Sequence, residues 1–279
     1  MPLTYAICDV FTDRPLTGNQ VAVFTDAGDV DESLMRPLAR EINFSETVFV
    51  LPSQAGGDFR IRIFTPRVEL PFAGHPTLGA GWVLARERHL QDVVLETAVG
   101  PVPLEFRRGE DGWRGRMLQP TPTVAPYPQA EELLSALGVE RSLLPVEVYD
   151  VGPTHVFVRL GSEREVAALR PDLNRLGSLS GLVGASCFAG DGDRYTARVF
   201  CPWVGIAEDP ATGSAAGPLA MHLVRHGAIP PGREIVISQG AEIGRPATLL
   251  AIASGTPEAI ADVRVGGAAV IVGQGQFTL

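Results

Sequence analysis

The sequence predicts an α+β protein of two similar halves, each with a sheet wrapped around one small-residue helix. Two observations carry that expectation. The first is an internal repeat: Arg62-Ile63-Phe64-Thr65-Pro66-Arg67-Val68-Glu69-Leu70-Pro71-Phe72-Ala73 returns, about half a chain length later, as Arg198-Val199-Phe200-Cys201-Pro202-Trp203-Val204-Gly205-Ile206-Ala207-Glu208-Asp209. Arg, Phe, Pro and Val keep their offsets, Ile63/Val199 and Leu70/Ile206 are matched apolar pairs, and each copy runs into a Gly-rich turn and an apolar segment. The second is the balance of patterns, in which strand-like segments far outnumber helical ones.

In chain order, residues 3–10 alternate loosely as a strand, and after a turn over 13–19 residues 20–24 form its hairpin partner. Leu34, Leu38 and Ile42 recur at helical spacing behind Asp31, a suitable N-cap, so a helix is expected over 31–42. Residues 46–51 are β-rich, and 58–64 alternate polar and apolar as a half-buried strand does. Residues 78–90 suit a helix, although Gly79 and Gly81 lower its propensity, so close packing in a buried position is expected. Residues 93–104 and 112–118 read as strands.

The proline-rich run 119–123, continued by Pro126 and Pro128, marks the domain boundary. Beyond it come a helix at 129–137 stopped by Gly138, strands at 146–151 and 155–160, a short helix or turn at 171–176, and strands at 182–189 and 195–200. Pro153-Thr154-His155-Val156-Phe157-Val158 weakly echoes Gly18-Asn19-Gln20-Val21-Ala22-Val23. The turn 209–214 leads into an apolar helix at 215–226, and strands at 234–238, 247–253, 259–265 and 268–272 complete the chain. The expected division is 1–119 and 120–265, with the last strand, about 266–279, rejoining the first half.

With 279 residues, 45% hydrophobic and 20% charged, the chain has globular composition and room for two domains. No run approaches the roughly 18 apolar residues of a membrane span, and no signal peptide is visible. A net charge of −9 argues against nucleic acid as a partner, because phosphate binding needs concentrated Lys and Arg. Cys8, Cys187 and Cys201 form no CxxC pair, which suits reduced thiols in the cytoplasm. The five histidines read as scattered, without metal-ligand spacing, and no metal is expected.

The chemistry concentrates at two repeat-related turns, Ala73-Gly74-His75-Pro76-Thr77 and Asp209-Pro210-Ala211-Thr212-Gly213-Ser214, each ahead of a helix. Unpaired N–H groups at a helix N-terminus attract carboxylates, and glycine lets a ligand approach the backbone. Ser, Thr and Asp at such places also cap their own helices. Two copies at matching positions favour a small carboxylate held from both sides. Glu46 enters an apolar, β-branched strand, where burial tends to raise a carboxyl pKa and suit it to carry a proton; taken alone it also fits an exposed face or an ion pair. His75 alone fits a structural hydrogen bond as well as catalysis, and Asp209 fits a cap, a partner for a substrate amine, or an acid/base. Ser214 stands one place too early for a nucleophile elbow, there is no P-loop, and Gly273-Gln274-Gly275 lacks the strand–helix setting of a dinucleotide site.

Ser45-Glu46-Thr47-Val48-Phe49, Gly74-His75-Pro76-Thr77 and Glu208-Asp209-Pro210-Ala211-Thr212-Gly213-Ser214-Ala215, together with Asp9-Val10-Phe11, Gly18-Asn19, Gln239-Gly240 and Gly244-Arg245-Pro246, resemble the phenazine-biosynthesis PhzF family. The resemblance implies the diaminopimelate-epimerase-like fold: two pseudo-repeated domains, each a curled, mainly antiparallel sheet or barrel around a central helix, with the active site between them. It implies a cofactor-free isomerase and a homodimer. Related epimerases use two cysteines at the helix turns, and neither turn here carries one. By resemblance Glu46 is the proton shuttle and His75 and Asp209 orient the substrate's polar groups. Ser214, with amides around Gly74 and Gly213, binds a carboxylate, and Ser45 and Thr212 complete the binding set. The family's best-known reaction isomerises dihydro-3-hydroxyanthranilate. Two other readings stay open: an amino-acid racemase or epimerase with Glu46 and Asp209 as opposed bases, and a non-catalytic binder of small carboxylates.

Overall fold

The computed structural model describes residues 2–109 and 112–279. The chain forms two compact units, one of residues up to Leu118 with Gly266–Leu279, the other Gln119–Val265. The first contains β1 (Leu3–Val10), β2 (Asn19–Phe24), α1 (Glu32–Ile42), β3 (Glu46–Pro52), β4 (Phe59–Phe64), β5 (Glu69–Leu70), α2 (Gly74–Arg88), β6 (Asp92–Thr97), β7 (Gly100–Gly109) and β8 (Gly112–Gln119). The second contains β9 (Thr123–Pro126), α3 (Ala130–Leu137), β10 (Glu147–Asp150), β11 (Thr154–Arg159), α4 (Glu163–Ala168), α5 (Leu173–Ser178), β12 (Gly184–Asp191), β13 (Arg194–Cys201), β14 (Ile206–Asp209), α6 (Gly213–Arg225), β15 (Ile235–Gln239), β16 (Ala247–Gly255) and β17 (Ile260–Gly267). The last strand, β18 (Ala269–Phe277), pairs antiparallel with β1.

The sequence repeat is a repeat of topology. In the first unit β2 runs parallel to β3, β3 antiparallel to β4, β4 parallel to β6 and β6 antiparallel to β7. In the second, β11, β12, β13, β15 and β16 follow the same sequence of directions. The second parallel crossover of each unit carries its long helix, α2 between β4 and β6 and α6 between β13 and β15.

Both long helices are sheathed. Every α2 residue from Gly74 to Ala85, and every α6 residue from Gly213 to Val224, is buried. A helix without a wet face must be apolar or small all round, which explains the low polarity of both segments. The α2 glycines are there for space: a Cβ at Gly79 would fall 2.6 Å from Val21 Cγ1 and 2.8 Å from Val10 Cγ2, and one at Gly81 2.8 Å from Leu104 Cδ2. Secondary clusters cover the outer faces. Phe24 stacks on Phe49 at 4.8 Å beneath Met35, Leu38 and Ala39 of α1, and Leu133, Leu137, Val166 and Leu176 from α3, α4 and α5 form a core with Val156, Val158 and Phe200.

The repeated Arg and Phe also have a physical role. Arg62 lies 5.1 Å over Phe64 and grips Glu69 through Nε and Nη2, both at 2.7 Å; Arg198 lies 5.0 Å over Phe200 and grips Glu208 at 2.9 and 2.7 Å. Each clamp ties β4 or β13 to the short strand leading into the long helix.

Local differences from expectation have identifiable causes. Residues 93–104 are not one strand but two, β6 and β7, because the chain turns at Ala98-Val99 and Gly100 takes φ 116° to close the hairpin. That turn carries apolar residues, so alternation alone runs through it. The long helices begin before the expected 78 and 215, at Gly74 and Gly213, since first-turn N–H groups need no intrahelical acceptor and Pro76 is tolerated there. Helix α4 was not expected. Ser162 Oγ accepts from Glu165 N at 3.2 Å and donates to Glu165 Oε1 at 3.1 Å, and Glu165 Oε2 accepts from Gly161 N at 3.2 Å, a variant of the capping box whose Ser-x-x-Glu spacing was present in the sequence.

Candidate active site

In the first unit, Glu46 opens β3 opposite Val21 of β2, and His75 is the second residue of α2. The fold brings them together: Glu46 Oε2 is 3.3 Å from His75 Nε2, with both residues buried. The other ring nitrogen, Nδ1, is 3.0 Å from Asn19 Nδ2, and Ser45 Oγ donates to Asn19 Oδ1 at 3.4 Å. Ser45, Asn19, His75 and Glu46 therefore form one polar line within an apolar layer. Burial pushes the His75 pKa down to about 3, so the imidazole is neutral and its contact with Glu46 is not an ion pair at ordinary pH. Gly74 starts the helix beside them, and the N-cap residue Ala73 supplies no side-chain cap.

In the second unit, Asp209 ends β14 and Thr212 is the N-cap of α6 without capping it by its side chain. Thr212 Oγ1 instead donates to Asp209 Oδ2 at 2.6 Å. Gln239 locks this turn: its Nε2 donates to the Asp209 carbonyl at 2.8 Å and to Thr212 Oγ1 at 3.0 Å, and its Oε1 accepts from Thr212 N at 3.2 Å. Gln119 Nε2 donates to the Gly213 carbonyl at 2.9 Å. Ser214, second residue of α6 as His75 is of α2, lies 2.9 Å from His155 Nε2. Side-chain self-capping, which the sequence left open, thus occurs at neither long helix, and the first-turn N–H groups keep their character as anion donors.

The eight sequence-selected residues fall into two groups. Ser45, Glu46, Gly74 and His75 gather in the first unit, and Asp209, Thr212, Gly213 and Ser214 in the second. In the sequence Asn19 and Gln239 stand out only as parts of motifs, yet they orient His75 and the Asp209 turn. His155 was not selected, although the weak echo of residues 18–23 at 153–158 marked its strand.

The profile of a family described as phenazine biosynthesis-like protein, PhzC-PhzF, matches residues 8–275. The chain belongs to this family. A relative from Pseudomonas aeruginosa, named trans-2,3-dihydro-3-hydroxyanthranilate isomerase, is 47% identical over 99% of both chains. A Bacillus anthracis protein of the PhzF family shares the fold with a TM-score of 0.87 and 25% identity over 100% of both chains. A hydroxyproline epimerase from Agrobacterium vitis, 14% identical with a TM-score of 0.66 over 99% of this chain and 91% of its own, shows that the fold extends to racemases and epimerases.

This PhzC-PhzF chain also holds a second polar cluster, which corrects the reading of its histidines. His222 and His226 are four residues apart on α6, a spacing that puts both on one helix face, and Glu147 of β10 lies against them. Glu147 Oε2 is 2.9 Å from His226 Nε2, 3.3 Å from His222 Nδ1 and 2.9 Å from the Tyr149 hydroxyl. These atoms already satisfy one another, and Arg225 Nη2, 3.9 Å from Glu147 Oε1, supplies positive charge that disfavours a dication. The cluster is a hydrogen-bonded clasp between β10 and α6. Hydrogen bonds from His222 first, then His226 and Tyr149, hold the Glu147 pKa down to about 2. A carboxyl depressed in the folded state stabilises fully above its unfolded pKa near 4.5 and loses that contribution as pH falls toward 2. Wild type is therefore expected to lose more melting temperature than Glu147→Gln between pH values either side of about 4. Equal losses in thermal scans would remove Glu147 from the acid response.

Proposed function

We propose that the protein is a cofactor-independent isomerase that moves a proton between two carbons of a small cyclic carboxylate, with Glu46 carrying the proton. The observation that carries this reading is the buried Glu46 carboxylate against the neutral imidazole of His75 at the uncapped start of α2. Burial among apolar residues disfavours the charged form of a carboxyl group and so strengthens it as a base, and a neutral imidazole neither neutralises it nor competes for its charge. His75 and Asp209 orient the substrate's polar substituents, and Ser214 with the amides of the two helix starts binds its carboxylate. In this reading the two turns serve one substrate molecule. Fixed donors then stabilise the charge that develops as the C–H bond breaks, and a conjugated substrate delocalises the rest.

The likeness to the Pseudomonas aeruginosa isomerase makes trans-2,3-dihydro-3-hydroxyanthranilate the first substrate to try. Incubation in D2O without added cofactor is expected to give an isomerised product with deuterium at the carbon that receives the proton. Deuterium at an inverted stereocentre would replace the reading by an epimerase. Ligand-induced thermal stabilisation without any exchange would replace it by a binder. We also read the protein as a cytoplasmic homodimer; Cys8, Cys187 and Cys201 are all buried, as a reducing compartment allows. Among the described residues no helix is long and apolar enough to cross a membrane. Light scattering at about twice the chain mass of 29.7 kDa is the expected result for the dimer.

A further inference from the structure

Glu46 and Gly184 occupy equivalent places in the two units. Glu46 opens β3, parallel to β2, and Gly184 opens β12, parallel to β11 and directly opposite His155. In the first unit the carboxylate at that place faces the second residue of α2. In the second unit there is no side chain at that place, and the imidazole of His155, from the neighbouring strand, reaches the second residue of α6. The glycine is needed for this exchange. A Cβ at Gly184 would stand 2.7 Å from His155 Nδ1 and 3.2 Å from Cε1.

His155 is buried, and its Nδ1 has no hydrogen-bond partner among the described residues. A buried N–H without an acceptor is rarer and costlier than a buried lone pair without a donor. The single proton of a neutral imidazole therefore belongs on Nε2, where Ser214 Oγ lies at 2.9 Å. Burial lowers the His155 pKa to about 4, in keeping with a neutral ring. If Nε2–H donates to Ser214 Oγ, the serine accepts there, and its own proton remains for a ligand. The opposite tautomer would make Ser214 donate inward and leave it only an acceptor, suited to a substrate amine or to activation as a nucleophile.

We infer that His155 is a positioning residue: its Nε2–H donates to Ser214 Oγ and thereby commits the serine hydroxyl to donate to a carboxylate oxygen at the first turn of α6. The second unit has exchanged the proton carrier of the first for an anion donor. The identity of the bound acid rests on the isomerase reading above, whereas the tautomer does not.

Nitrogen NMR of protein labelled at histidine tests the tautomer directly, with His155 assigned by its disappearance in His155→Gln. A neutral ring protonated at Nε2 is expected at neutral pH; protonation at Nδ1, or at both nitrogens, overturns the inference. Calorimetry with 3-hydroxyanthranilate and its carboxamide tests the consequence. His155→Leu is expected to weaken the acid about tenfold, the scale of one misdirected charge-assisted hydrogen bond, and to leave the amide little changed. His155→Gln, whose amide N–H replaces the Nε2 donor, is expected to recover most of the loss. Wild-type affinity for the acid in His155→Leu, or failure of the Gln variant to recover, counts against positioning. If wild type binds neither compound, the substrate class fails and the NMR result alone decides the tautomer. If the Leu variant does not fold, the NMR and the Gln variant still decide.

Discussion

Replacing Glu46 by Gln is expected to lower turnover of the isomerised substrate by about 10³-fold or more, at the upper range for one positioned proton carrier. The change is nearly isosteric and removes only the ability to hold and release a proton. Glu46 is 8% exposed at the start of a strand buried from end to end up to Pro52, so there is little room for a water chain to take its place. The neighbouring His75 does not rescue the variant easily, because an imidazole with a pKa near 3 is a poor base at neutral pH. Folding is expected to survive: the amide keeps the shape, and the contact with His75 is not an ion pair, since His75 is uncharged. Ligand affinity should stay within a few-fold of wild type, because the proposed carboxylate-binding donors are elsewhere. Steady-state rates, deuterium incorporation and a thermal melt on the same preparation separate these outcomes. Near-normal turnover would remove Glu46 from the chemistry, and loss of folding would make it a structural residue.

The second large effect concerns stability. Arg198→Ala is expected to destabilise the protein by about 3–5 kcal/mol, whereas Arg62→Ala, its repeat equivalent, costs about 0.2–1 kcal/mol. The two clamps look alike in sequence and in hydrogen bonding but differ in burial. Arg198 and Glu208 side chains are 7% and 9% exposed, against 16% for Arg62, 37% for Glu69 and 75% for Glu32, its second partner. Removing Arg198 leaves a carboxylate inside the protein without its counterion. It also strips three carbonyls of a donor, those of Val166, Ala167 and Leu169, which Arg198 Nη1 reaches at 3.3, 3.2 and 2.9 Å at the end of α4. Denaturant midpoints of the two alanine variants measure the contrast. The double variant Arg198→Ala/Glu208→Ala should recover part of the loss, because the stranded charge is gone. Equal destabilisation by the two single variants would show that burial does not set the worth of these clamps.

The sequence made the fold accessible because the fold is duplicated and its rules are local. Alternation at 58–64, helical spacing behind Asp31, whose Oδ1 accepts from Ser33 N at 2.8 Å, and the stop at Gly138, with φ 74°, each report a local preference of the backbone. The glycines of α2 announced close packing before any neighbour was known, and the structure supplies Val10, Val21 and Leu104 as those neighbours. Where a local rule is hidden, as at the apolar turn Ala98-Val99, alternation does not reveal the turn.

By itself the sequence determined that there are two homologous halves, that each long helix is buried and starts at a glycine-bearing turn, and that Glu46 is an acid placed among apolar residues. Only the tertiary structure decided the polar partnerships. Asn19 meets His75 across 56 positions of chain, His155 meets Ser214 across 59, and Tyr149 meets His222 across 73. Periodicity tells which face of an element leaves water, because that depends on residues a few places apart. It does not tell which buried donor faces which acceptor, because that depends on how strands and helices distant in the chain are brought together.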